Sequence, residues 1–158
     1  MIEFSPIGII HTPWKKEKDC PIQPTRSGEA VGTIEIFPEF VIGLKDLDGF
    51  SHIHLIFHFH KSKGFNSTIK PYLDTVRRGV FACRAPRRPN QIGLSIVRLV
   101  KIEGNLVYIK DADMLDGTPL LDIKPYIPDF DIYETEKNGW IGNKTDKLNE
   151  TISDKRFN

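Results

Sequence analysis

The stretch Arg84–Ser95, R-A-P-R-R-P-N-Q-I-G-L-S, constrains the fold more than any other part of the chain. Pro86 and Pro89 each lack an amide donor and restrict the residue before them, so this segment is not a helix. The same lack keeps it out of a central strand. It nevertheless runs straight into Leu94-Ser95-Ile96-Val97-Arg98-Leu99-Val100, which has a strong strand pattern. A rigid basic loop at the mouth of a strand suits an anionic or nucleotide-like ligand, because guanidinium forks and free amides point outward there. A Pro-rich surface connection with solvated arginines is the alternative reading.

The rest of the chain reads as mostly β. Ile7–Thr12 is a short β-branched run ending at Pro13, and residues 14 to 30 are charged, contain Pro and Gly, and read as a long loop. Gly32–Phe37 alternates, with Ile34 and Ile36 on one face and Thr33 and Glu35 on the other. Leu44–Phe50 reads as a turn or short helical piece. Ile53–His60 is the next strand, residues 61 to 79 are polar with turn signals at Gly64 and Pro71, and Val80–Arg84 is a short strand. Leu94–Ile102 and Leu106–Lys110 flank Glu103-Gly104-Asn105, a hairpin spacing. Pro119–Ile123 is a further apolar run, closed by Pro125 and Pro128. From Tyr133 the chain is polar apart from Trp140 and Ile141, and reads as an irregular tail or a short helix packed on the body. Short strands at regular spacing favour a barrel or a sandwich.

At 158 residues, with 39% hydrophobic residues, this is one domain with core enough to fold. The formal net charge of +1 means that bulk charge does not demand a nucleic-acid partner, although local basic clusters can supply a footprint. Two cysteines, Cys20 and Cys83, are too few for a disulfide framework and do not form a zinc-knuckle spacing. No apolar run approaches the ~20 residues of a membrane span, and Met1–Pro6 does not read as a signal peptide. A reducing cytoplasm is the expected location, with no membrane partner.

Ser51–His60 carries four of the five histidines, at positions 52, 54, 58 and 60. On a strand these share one face with Ile56, while Ile53, Leu55, Phe57 and Phe59 share the other, which is core. From His52 to His60 a strand spans roughly 26 Å at ~3.3 Å per residue, too far for one metal ion with bonds of ~2 Å. A single H-x-H pair with a distant carboxylate is the surviving metal reading; no metal site is expected. A ligand-facing role for one histidine, and a hydrated or interface face for the others, are the remaining readings.

Asp111–Tyr126, D-A-D-M-L-D-G-T-P-L-L-D-I-K-P-Y, is the second unusual segment. Gly117 supplies a permissive φ and Pro119 fixes the exit of a tight turn at Asp116–Pro119. The Asp116 carboxylate there can hold an amino group or ribose hydroxyls, or it can cap its own turn.

Arg88-Pro89-Asn90-Gln91-Ile92-Gly93-Leu94-Ser95 and Asp116-Gly117-Thr118-Pro119-Leu120-Leu121-Asp122-Ile123-Lys124-Pro125-Tyr126 together resemble the TsaA-like, TrmO-type family. Ile7-Gly8-Ile9-Ile10-His11-Thr12-Pro13-Trp14, Gly43-Leu44 with Phe50-Ser51-His52, and Gly79-Val80-Phe81-Ala82-Cys83-Arg84 extend the likeness over residues 5 to 130. The resemblance implies a mainly β, single-domain β-barrel over residues 1–132 with a short C-terminal tail over 133–158. It also implies S-adenosylmethionine as cofactor, a homodimer, and N6-methylation of N6-threonylcarbamoyladenosine at position 37 of tRNA. The cofactor contacts it implies are Gln23, Pro24, His60, Lys61, Arg84, Leu94, Asp116, Gly117, Thr118, Pro119 and Leu120.

The chain departs from the family pattern in three places. Gln91 stands where a proline is usual, Ile22 where an arginine precedes Gln23, and Cys83 where a threonine is common. It is also shorter than bacterial members with an extra C-terminal domain. Methyl transfer from a sulfonium depends mainly on in-line positioning. The acceptor nitrogen is conjugated on both sides, so a base or hydrogen-bond acceptor near its N–H would help. Asp116, His60 and Tyr126 are the candidate catalytic side chains. Arg84, Arg87 and Arg88, with Lys61, Lys63, Arg77 and Arg78, could line a phosphate path. The competing readings are a methyltransferase of another substrate and a non-catalytic S-adenosylmethionine- or RNA-binding module.

Overall fold

A computed structural model of the chain describes residues 1–16, 18, 20, 31–72 and 74–142. Six strands close into one antiparallel barrel: β1 (Gly8–His11), β2 (Val31–Ile36), β3 (His52–His58), β6 (Ile92–Glu103), β7 (Leu106–Lys110) and β8 (Thr118–Pro125). Their order around the barrel is β1-β2-β7-β6-β3-β8, and β8 returns to pair with β1. Two very short strands, β4 (Thr68–Ile69) and β5 (Arg78–Gly79), form a separate ribbon. One helical turn, α1 (Pro128–Asp131), follows the last barrel strand.

Alternation builds the interior. Ile10, Ile34, Ile36, Ile53, Leu55, Val97, Val107, Ile109 and Leu120 are fully enclosed and come from all six barrel strands. In β2 the inward positions are Gly32, Ile34 and Ile36, the pattern expected of this segment. In β6 Gly93, Ser95, Val97 and Leu99 point inward while Ile92, Leu94, Ile96, Arg98 and Val100 face outward. Closure leaves no barrel strand with an unpaired edge. The β6–β7 hairpin pairs Glu103 with Leu106, and Gly104 takes φ +60° in the turn. A glycine at the first central position is what the II′ hairpin turn needs.

Several expectations require correction. Val80–Arg84 is not a strand: Val80–Ala82 is a 3-10 turn, and Val80 is buried with Ile69 and Ala85 in a small satellite core. The β-branched composition is satisfied there by burial rather than by a ladder, with the Val80 amide donating to Ser67 O at 2.9 Å. Residues 61 to 79, read as polar with turn signals at Gly64 and Pro71, also contain the β4–β5 ribbon. The histidine strand ends at His58, and the His60 amide turns back to donate to His58 O at 2.8 Å. His60 therefore leaves the outward face that His52, His54 and His58 keep. The helical turn lies at Pro128–Asp131, ahead of the expected tail, and residues 132 to 139 have no regular structure. Trp140 docks through its indole N–H on Ala82 O at 2.7 Å.

The barrel has two ends of different character. One end gathers the C-termini of β1, β3 and β7 with the N-termini of β2, β6 and β8, as the antiparallel registers require. The other holds Gly8, His52 and Pro125. Gly8 sits where a Cβ would run into the backbone carbonyl of Glu35 on the paired strand. Backbone cannot step aside as a flexible side chain can, and overpacking costs about 1–3 kcal/mol. Gly8→Ala is expected to lower the thermal midpoint by several degrees, measured by circular dichroism; an unchanged midpoint would show that the β1–β2 ladder yields.

Candidate functional site

Register alone brings the two long motifs to one end of the barrel. His58 pairs with Ile92 and Phe57 with both Gly93 and Leu120, so the ends of β3, β6 and β8 lie side by side. The loops leaving these ends are 59–64, Arg84–Gln91 and Asp111–Gly117. The Phe59 amide donates to Gln91 O at 2.9 Å and the Gln91 side-chain amide donates to Gly64 O at 3.0 Å. The residue that departs from the family's usual proline thus ties the His60–Gly64 loop to the arginine loop.

The Asp116 turn is built against the segment after β1. Thr12 N–H donates to Asp116 Oδ1 at 3.0 Å, and Lys15 Nζ donates to Oδ2 at 2.6 Å. His11 Nδ1 lies 3.7 Å from Oδ1. The Asp116 amide donates to Trp14 O and the Gly117 amide to Ile10 O, both at 2.8 Å. Gly117 takes φ +81°, the left-handed conformation that favours glycine. Thr118 is buried, with its hydroxyl donating to Leu115 O at 2.7 Å. The amides of the turn are engaged inside the protein, so the carboxylate is the group this turn presents. The Lys15 ammonium, hydrogen-bonded to it, holds the Asp116 carboxyl below the usual carboxylate range; the Thr12 amide and the His11 charge act in the same direction, against partial burial.

His60 is partly buried beside this end. Burial first, then the Lys61 and His58 charges, lower its pKa from the ordinary histidine value. It is therefore neutral at pH 7 and able to accept a proton. Leu94, just inside β6, is 57% exposed on the outer face. Arg88 is committed to the loop itself, donating from Nη1 to Cys83 O at 2.8 Å and Ala85 O at 3.2 Å. Ser62 Oγ and Arg87 Nε are buried and have no hydrogen-bond partner among the described residues. Buried polar groups are ordinarily satisfied, so these two mark a place where a polar ligand group would be accepted.

Tyr126 is not brought to this end. It follows Pro125, which pairs with Ile53, and its amide donates to His52 O at 3.0 Å. The eight residues of β8 separate it from the Asp116 turn by roughly 25 Å of strand. Its ring instead packs on His54, centroids 5.5 Å apart, and His54 Nε2 lies 3.3 Å from Asp131 Oδ2. Gln23, Pro24 and Ile22 lie outside the described residues. No group of three or more metal-ligating side chains occurs among the described residues.

One residue was missed by sequence reasoning. Asp113 lies partly buried between Ala112 and Met114, both buried, and Ser95 Oγ donates to Asp113 Oδ1 at 2.7 Å. Burial pushes its pKa up to about 7, opposed by the Ser95 hydrogen bond and the Arg84 charge. The D-x-x-D spacing carried no sign that the first carboxylate bonds Ser95 and the second Lys15.

A basic loop and a carboxylate turn thus meet at one mouth of a closed six-stranded antiparallel barrel. Residues 9–132 match the tRNA-methyltransferase O N-terminal domain. The chain is 53% identical over 157 residues to a probable S-adenosyl-L-methionine-binding protein of Pyrococcus abyssi, covering 99% of this chain and 85% of that one. It is 40% identical over 133 residues to the tRNA (adenine(37)-N6)-methyltransferase of Mus musculus, covering 80% of this chain but 31% of that one. A crystal structure of TrmO superposes with a TM-score of 0.76 at 40% identity, over 88% of this chain and 64% of that one. The chain belongs to the family of the tRNA-methyltransferase O N-terminal domain.

The raised pKa of Asp113 has a consequence for stability. The unfolded chain loses this proton near 3.8, the folded chain only near 7, so the folded state holds the extra proton between these values. Stability contributed by this site is full below pH ~4 and is lost as pH rises to ~7. Asp113→Asn, which does not titrate, is expected to gain stability over the parent as pH rises through that window, by a few kcal/mol above pH 7. Urea unfolding at pH 5 and pH 8 measures the difference; equal parent–variant gaps at both pH values would contradict it.

Proposed function

We propose that the mouth formed by the Asp116 turn, the His60–Gly64 loop and the Arg84–Leu94 segment binds S-adenosylmethionine, and that the protein methylates tRNA. The observation that carries this reading is the convergence of those three separate segments at one barrel end. The names of the relatives support it: one is called S-adenosyl-L-methionine-binding, another a tRNA (adenine(37)-N6)-methyltransferase.

The side chains present fit the cofactor's charge pattern. S-adenosylmethionine carries a sulfonium, an ammonium, a carboxylate and an adenine, and supplies an electrophilic methyl group when bound. Asp116, kept ionised by Lys15, suits the ammonium or the ribose hydroxyls. Lys61, Arg84 and the unpartnered Arg87 Nε suit the carboxylate. The exposed Leu94 offers an apolar surface for the adenine. Gln23, Pro24, Gly117, Thr118, Pro119 and Leu120 complete the proposed contacts, with the last four shaping the turn. Neutral His60 is the proposed proton acceptor for the weakly nucleophilic N–H of N6-threonylcarbamoyladenosine 37. Tyr126 has no part in this assignment, since it lies at the other end of β8.

The proposed organisation is a barrel over residues 1–132 with a tail over 133–158. A homodimer is proposed through the outer face of β6, where Ile92, Ile96 and Val100 are 39–46% exposed on the same side as Arg98. A tRNA substrate implies a cytoplasmic protein, and among the described residues no helix is long and apolar enough to cross a membrane.

Labelled S-adenosylmethionine and tRNA, with and without the threonylcarbamoyl group at adenosine 37, provide the direct test. Label on modified tRNA alone is expected. Transfer to another RNA would redirect the substrate, and cofactor binding without transfer would identify a binding module. His60→Asn is expected to lower kcat by about 100-fold, in the range of general-base removal. Tyr126→Phe is expected to stay within about twofold of the parent; a loss comparable to that of His60→Asn would reverse the assignment.

A further inference from the structure

We propose that Gln91 is a positioning residue, a latch that holds the 59–64 loop, with His60 and Lys61 on it, closed against the arginine loop at the barrel mouth. The inference rests on the cofactor reading above, because His60 and Lys61 belong to the proposed cofactor site. It gives a role to a residue at which the chain departs from the family pattern.

Both ends of the loop are tied to this one residue. At the entry, the Phe59 amide donates to Gln91 O at 2.9 Å. At the exit, Gln91 Nε2 donates to Gly64 O at 3.0 Å. The first bond uses backbone alone, so a proline at this position accepts it equally well. The second needs a side-chain N–H, which proline lacks. The glutamine therefore adds the exit tie to an entry tie that any residue there provides.

The two ends of the loop are held very differently. At the entry, the Phe59 ring packs on the barrel core and meets Phe57 edge-on at 5.4 Å. Within the loop, the His60 amide donates to His58 O at 2.8 Å and the Ser62 amide to Phe59 O at 3.0 Å, both local bonds. Lys61, Lys63 and Gly64 are exposed. Among the described residues, the Gln91 side chain makes the one hydrogen bond that joins residues 61–64 to another segment. The next such bond along the chain is at Ser67, whose carbonyl accepts from Val80 N at 2.9 Å. The closed loop also carries a cost, since Ser62 Oγ is buried with no hydrogen-bond partner among the described residues. Opening would hydrate that hydroxyl, so the exit tie opposes a real tendency to open. The side to which it ties is fixed: Arg88 Nη1 donates to Cys83 O and Ala85 O, and Ile92, next to Gln91, pairs with His58. One side-chain bond thus closes a movable segment on an anchored one.

The test is limited trypsin digestion of the full chain, with cuts after Lys61 and Lys63 followed by mass spectrometry. Affinity for S-adenosylmethionine is measured by calorimetry on the same proteins. Nicking in the loop follows its open fraction, and affinity follows its closed fraction. The factor by which nicking speeds up, multiplied by the factor by which affinity weakens, is therefore the change in the opening equilibrium. For Gln91→Ala and Gln91→Met that product is expected to be about fivefold, the effect of one hydrogen bond of ordinary net strength. Methionine keeps a side chain of similar length without an N–H, so it separates donation from packing. Cleavage after Arg98 or Lys110, inside barrel strands, is expected to stay absent while the loop is nicked, because opening the loop leaves the barrel closed. Saturating S-adenosylmethionine is expected to slow nicking at both lysines in the parent and the variants, as a ligand of the closed loop must.

Nicking and affinity unchanged in both variants, a Gln91→Met protein that behaves as the parent, or loop and barrel sites cut together would each overturn the latch while leaving the cofactor reading intact. Bound S-adenosylmethionine that leaves nicking unslowed would overturn the positioning role in the same way. A parent that binds no S-adenosylmethionine would overturn both.

Discussion

The pairing of β8 with β1 is the constraint on which the rest of the molecule depends. Gly8, Ile9 and Ile10 align with Leu120, Pro119 and Thr118, and this ladder turns an open sheet into a closed barrel. Closure removes the exposed edges and lets one layer of Ile, Leu and Val side chains fill the interior. It also carries the Asp116 turn to the segment after β1. Trp14 O and Ile10 O then take the turn's amides, and Thr12 and Lys15 take its carboxylate. Stability and site geometry share these bonds, because the strand that closes the barrel is the one that starts at the turn.

Two carboxylates three residues apart in this turn have opposite electrostatic surroundings. Asp116 reaches the mouth and is held ionised by Lys15. Asp113 turns inward to Ser95, and burial makes its charged form costly. Environments that push the pKa values of neighbouring groups apart allow them distinct tasks. Here one carboxylate bonds Lys15 at the mouth, and the other bonds Ser95 of β6. The barrel mouth thus combines an anion, a neutral imidazole and several cations within a chain of net charge +1. Bulk charge was a poor guide because the relevant charges are local.

Much of the fold was legible in the chain. Alternation identified the buried faces of β2 and β3, and the Gly104 hairpin followed from turn chemistry. The double proline correctly kept Arg84–Gln91 out of regular structure. The failures lie where side-chain composition and backbone pairing part company. Val80–Ala82 has strand-like residues, yet its valine is satisfied by a small satellite core and no ladder forms. His60 continues the even spacing of the histidines, yet the backbone reverses at His58. Tyr126 shares a motif with Asp116, but a strand that spans the barrel places motif neighbours at opposite ends.

By itself the sequence determined the strand periodicity, the positions of the turns, and the two motifs through which the chain resembles its family. These depend on local sterics and on side-chain alternation, which neighbouring residues decide. Tertiary structure alone decided which charges meet. The Ser95–Asp113 bond, the Lys15–Asp116 pair and the Gln91 tie to Gly64 join residues 18, 101 and 27 positions apart. Their partners follow from barrel order and register. Those are set by the simultaneous pairing of six strands, a condition that no local stretch of the chain encodes.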